Sequence, residues 1–96
     1  MNTVVKLDTD RELRYDFRAF VAMDEDCGIN PMDPKTYADF SPRKIQALVW
    51  AGQLHTKNPL TKERVVEFLP TEGEALVKVM EAVSDALARA LGPVKE

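Results

Sequence analysis

Few residues in this chain have the types or spacing to do chemistry. There is one histidine, His55, and one cysteine, Cys27. A structural zinc site takes about four Cys, His or carboxylate ligands, which this pair does not supply. Asp24-Glu25-Asp26-Cys27-Gly28 and Asp8-Thr9-Asp10 share the acidic composition of a calcium loop. Both lack the alternating ligands, the correctly placed glycine and the distal bidentate glutamate that an EF-hand needs. Gly28, Gly52, Gly73 and Gly92 are scattered, so no glycine-rich run can cradle a phosphate. No Ser or Cys nucleophile has a base suggested by its spacing. The expectation is a non-enzymatic protein with no catalytic residue, no cofactor and no metal.

The charged residues leave two alternatives open. Arg11, Arg14 and Arg18 lie close in sequence and form either a local basic strip or solvated arginines beside a turn. Asp24, Glu25 and Asp26 close a helix at the end where its dipole disfavours anions. They read either as an acidic docking patch or as a solvated cluster. A net charge of -3 does not favour a phosphate-rich partner, so no nucleic acid is expected. A lone cysteine cannot form an internal disulfide, which fits a reducing cytoplasm. No signal peptide is expected, because the N-terminus lacks the basic, long apolar and small-residue sequence. No apolar run approaches about 18 residues, so no membrane span is expected.

The elements that must position these residues follow from local patterns. Ninety-six residues with 45% hydrophobic and 30% charged content suit a single domain over 1–96. Val4, Val5 and Leu7, the Asp8-Thr9-Asp10 turn and the alternation Glu12-Leu13-Arg14-Tyr15 predict a β-hairpin over about 3–15. Such a hairpin is marginal alone and must lean on helices or on another subunit. Asp16 caps a helix over about 17–27 that Gly28 stops. Its apolar stripe is Phe17, Phe20 and Val21, with Met23 or Cys27. Asp33-Pro34 and Ser41-Pro42 each pair a cap with a first-turn proline, predicting helices over about 34–39 and 42–55. Thr61 caps a helix over about 62–69 that Pro70 ends. A Thr71-x-x-Glu74 capping box opens a last helix over about 72–91, closed by Gly92-Pro93 before a frayed tail, 93–96. The fold class is mainly α: a small domain of four to five helices preceded by a short N-terminal hairpin.

The last two long helices differ in kind. Leu76, Val79, Met80, Val83, Leu87, Ala90 and Leu91 fall on one face of the last helix, which needs one partner surface. The central helix carries Ile45, Leu48, Val49 and Gly52 on one face and Ala47, Trp50 and Leu54 on the other. Gln46 and Gln53 separate the two stripes on one side. Either the helix is the middle layer of the domain, or its Trp50 face is open to a like subunit or a partner. Gly52 allows close backbone approach in both cases. His55, in its last turn, complements the exposed carbonyls.

Taken in order, these segments resemble the tail assembly chaperones of long-tailed bacteriophages, prophages and gene transfer agents. A short hairpin runs into an aromatic-rich first helix, L-R-Y-D-F-R-A-F, that ends at a glycine. The helix A-L-V-W-A-G-Q-L-H is similar to the family's central L-x-W-A-G-L-x-H. The stretch N-P-L-T-K-E-R-V-V-E-F-L resembles its P-x-L-T-x-E-x-V-x-x-L turn and helix. An Ala- and Leu-rich amphipathic helix closes the chain. The likeness spans Val4 to Leu91 and departs from the family pattern at the Pro- and Asp-containing segment Asn30 to Asp39.

The resemblance implies a small, mainly helical, non-enzymatic protein of the bacterial host cytoplasm. It would bind tape measure protein and tail tube protein during tail assembly, form a possible homo-oligomer, and be missing from the mature virion. Phe20, Met23, Ala47, Trp50 and Leu54 are the candidate contact residues, since aromatic and methionine side chains give large, adaptable surface. The alternatives are a small DNA-binding regulator, with the central and Thr61 helices imitating a helix-turn-helix, and an enzyme accessory subunit or antitoxin-like adaptor.

Overall fold

A computed structural model describes residues 3–37 and 41–91, apart from the side chains of Pro34 and Tyr37. Strand β1 (Val4–Lys6) pairs antiparallel with β2 (Asp10–Glu12), with Val5 opposite Arg11. Four α-helices follow among the described residues: α1 (Phe17–Cys27), α2 (Pro42–Gly52), α3 (Lys62–Phe68) and α4 (Gly73–Leu91). The molecule is mainly helical with an N-terminal hairpin. Residues Pro34–Tyr37 form a 3-10 turn, tighter than the expected α-helix, whose remaining positions 38–39 lie outside the described residues. So do the Gly92-Pro93 stop and the tail at 93–96.

Side chains cap the helix starts as their types require. Asp16 accepts the Ala19 amide at 3.0 Å, Ser41 that of Lys44 at 3.3 Å, and Thr61 that of Arg64 at 3.2 Å. Gly28 ends α1 at φ 66°, a conformation that costs glycine little. The Gly28 and Ile29 amides both return to the Met23 carbonyl there. Leu69, held extended by the following proline, ends α3. The last helix starts at Gly73, with the Glu72 carbonyl accepting the Leu76 amide, so Glu72 rather than Thr71 precedes its first turn.

The second strand is shorter than the alternation suggested, for a reason that organises the whole fold. Leu13 donates to the Thr3 carbonyl at 2.8 Å, the last hydrogen bond of the hairpin among the described residues. The chain stays extended, burying Leu13 and Tyr15 and exposing Arg14, but crosses onto the end of α2. There the Arg14 amide donates to the Gly52 carbonyl at 2.8 Å, and the Tyr15 hydroxyl donates to Leu48 at 2.6 Å. A Cβ on Gly52 would lie 3.0 Å from both Leu13 Cδ2 and Tyr15 Cζ. Glycine therefore sits where the hairpin's continuation passes over the helix.

Helix α2 is the middle element. It packs against α1, α3 and α4, and α4 also packs against β1. Ile45, Ala47, Leu48, Val49, Ala51 and Gly52 are all buried, so the first apolar face is covered from within the chain, while Trp50 and Leu54 of the second are only half-buried. The face of α4 that meets this core is Val79, Ala82, Val83, Ala86 and Leu87. Leu76 and Met80 are half-buried, whereas Ala90 and Leu91 stand exposed at the far end.

Candidate interaction surface

The five side chains expected to offer contact surface lie mostly inside. Met23 is wholly enclosed, Ala47 and Phe20 are buried, and Trp50 and Leu54 are half-buried. Trp50 packs against the core with the Lys62 ammonium 5.5 Å from its ring centroid. That ammonium donates to the Asp26 carbonyl at 2.9 Å, while Gln46 Nε2 donates to the Lys62 carbonyl at 3.0 Å. The first turn of α3 thus lies across the Trp50 side of α2. Lys62 also brings a cation to the carbonyl end of α1, opposing the unfavourable Asp24-Glu25-Asp26 charge there. Three of the five candidates therefore have no surface to give a partner in this conformation. The physical reason is that α1 and α3 occupy the space the second stripe required.

The turn after α2 is held by polar side chains whose tasks local patterns did not show. Gln53, expected only as a separator between stripes, has no exposed surface. Its Nε2 donates to the Trp50 and Leu60 carbonyls at 2.9 and 3.0 Å, and its Oε1 accepts the Leu60 amide at 2.8 Å. A buried amide so fully paired ends α2 at Gly52, three residues before the expected end. The backbone amides of Gln53, Leu54 and Thr56 each bond three residues back, the tighter pattern common where an α-helix finishes.

Arg11 is the second such group. Facing inward opposite Val5, it is neither a solvated arginine nor part of a basic strip. Nε and Nη2 hold the two Asp8 carboxylate oxygens at 2.7 and 2.9 Å. Nη1 donates to Thr56 Oγ1 at 2.8 Å and to the Lys57 carbonyl at 3.4 Å, and Nη2 to the Asn58 carbonyl at 3.2 Å. Asn58 supplies that carbonyl from a positive φ of 54°, a conformation asparagine tolerates better than most residues. The guanidinium beside Asp8 holds its carboxyl down at about 2, and Asp8 in turn raises Arg11. His55 joins the same tie. Its Nε2 lies 2.8 Å from the Glu12 carbonyl, an acceptor only, so Nε2 carries the proton. His55 therefore serves β2 and not the end of α2.

The arrangement can do little nucleophilic chemistry. Burial pushes the Cys27 thiol above its ordinary value, so the reactive thiolate is scarcer than in a free cysteine. A cleft of about 390 Å³ beside it is lined by Gly28, Arg43, Lys44, Lys62 and Glu63. Two of its cations are already held by backbone carbonyls, Lys44 by Thr36 at 3.0 Å and Lys62 by Asp26. Among the described residues no group of three His, Cys, Asp or Glu stands close enough to hold a metal ion. No described helix is long and apolar enough to cross a membrane. On α3, the exposed Arg64 pairs with Glu67 at 3.2 Å and lies over the Phe68 ring.

Apolar surface does exist, on a different face. Phe17 is 76% exposed and Val21 40%, one turn apart on the outer side of α1. Their expected place in the inward stripe is taken by Ala19, Phe20 and Met23. Met32, Val66, Val77 and Leu91 are also exposed, scattered over other elements. Comparison of the chain with protein-family models, curated proteins and solved structures finds no match.

Proposed function

We propose that this chain is a non-enzymatic tail assembly chaperone of a long-tailed phage or prophage. It binds tape measure protein and tail tube subunits in the host cytoplasm and leaves before the tail is complete. One observation supports the reading: the three motif-bearing stretches, the first more than thirty residues before the other two, meet at Gly52 and Gln53. Tyr15, from the first stretch, donates to Leu48 and covers Gly52 in the second. Gln53, from the second, holds both backbone groups of Leu60 in the third. That the motif residues pack on one another supports reading them together as one signature. The exposed Phe17 and Val21 supply the kind of adaptable apolar surface that work by contact requires.

The test is co-expression with the tape measure and tail tube proteins encoded by neighbouring genes. Recovery of the chain in a stable complex with either supports the reading. Separate purification of all three, or neighbouring genes of unrelated kind, overturns it.

A further inference from the structure

The outer face of α1 carries an ordered charge pattern that no ion pair among the described residues answers. Phe17, Arg18, Val21, Asp24 and Glu25 are all exposed, with the cation near the helix start and the anions near its end. Arg18, Asp24 and Glu25 make no ion pair among the described residues. Each turn of the helix brings residues three and four apart onto one side, so Phe17, Val21 and Glu25 lie in one row with Arg18 beside them.

We infer that this face pairs antiparallel with the same face of a second copy, with Val21 at the two-fold axis. In that register Arg18 of each chain approaches Asp24 and Glu25 of the other, twice over by symmetry. Phe17 of each lies over the aliphatic stem of the opposing Glu25, which shields most of its exposed ring. A parallel pairing would set Arg18 against Arg18 and the carboxylates against each other. The charge order therefore selects the antiparallel copy as the occupant. Antiparallel helices also bring each positive helix end to a negative one. An α-helix of 11 residues is only about 16 Å long, so the contact belongs with small, reversible interfaces. The pairing rests on α1 alone and not on the tail-assembly reading.

Sedimentation equilibrium at low salt tests it on the whole chain. The native sequence should show a reversible monomer–dimer equilibrium that weakens as salt is added. Phe17→Ser, Arg18→Glu and Glu25→Arg should each weaken it by about tenfold or more while leaving the circular dichroism unchanged, since all three positions are exposed. Mixing the Arg18→Glu and Glu25→Arg chains should restore association, because each reversed charge then meets its opposite. A native chain that stays monomeric at every concentration overturns the inference, as does a mixture no more associated than either variant alone. Complex formation with tape measure protein is a separate readout, so failure here leaves that reading standing.

Discussion

The turn after α2 and the outer face of α1 treat their polar and apolar groups in opposite ways. Around the turn, Arg11 makes five hydrogen bonds and Gln53 three, and both side chains are closed off from solvent. On α1, a phenylalanine stands largely in water beside an arginine and two carboxylates that form no ion pair among the described residues. A region whose polar groups are all satisfied internally is a scaffold, because leaving any of them unpaired is costly. A region with exposed apolar area and unanswered charge has its interactions still to make. The lesson is that Trp50, with its large side chain, belongs to the first kind and Phe17 to the second.

The largest effect expected is on stability at Trp50. Trp50→Ala should cost about 3 kcal/mol, somewhat below the value for a fully buried tryptophan, read as a lower urea midpoint. A variant as stable as the native chain would return Trp50 to the interaction surface. Gln53→Ala comes next, at about 2 kcal/mol, because it leaves the Leu60 amide and carbonyl without their partner. Amide exchange at Leu60 should rise in parallel, and an unchanged rate would remove Gln53 from the scaffold.

The Asp8–Arg11 pair sharpens the same contrast through pH. Its folded carboxyl titrates at about 2 against an ordinary 3.8, so folding favours the ionised form. The sign follows: the stabilisation is complete above the ordinary value and is lost as pH falls through the folded one. Urea midpoints should therefore separate native chain from Asp8→Asn at about pH 5, and the gap should close towards about pH 2. A gap independent of pH would mean that the ion pair does not couple to folding. The smallest effect is at Phe17. Phe17→Ser should change monomer stability by less than about 0.5 kcal/mol, measured at a concentration too low for association. A larger loss would make Phe17 part of the scaffold and erase the difference between the two regions.

Much of the fold was legible because its signals are local. The Asp16 cap and the Gly28 stop bracket α1 at Phe17 and Cys27, and Pro70 ends α3. Two apolar faces on α2 left open whether the chain itself covers both; it covers the first fully and the second in part, with Trp50 and Leu54 half-buried. The alternation that buries Leu13 and Tyr15 also points Arg11 inward, since the three share one side of an extended chain. Its partners Thr56, Lys57 and Asn58 lie more than forty positions away, where no local pattern reaches. Gln53 was hidden for a different reason: Leu60 is only seven residues on, but the pairing depends on the turn folding that residue back over the helix end, which helical periodicity does not encode. Phe17 misled differently. Its spacing from Phe20 and Val21 fits an inward stripe, but the small Ala19 lets α1 settle on the Ala19–Phe20–Met23 side. That rotation carries Phe17 and Val21 outward.

The proposed function is contact with tail components. Light scattering coupled to size exclusion tests this directly on a mixture of the chain and a tape measure protein, the partner that the proposal names. The reading predicts a peak whose mass exceeds that of the tape measure protein alone by one or more copies of the chain. Two peaks, each with the mass of its free component at every ratio tried, would contradict it.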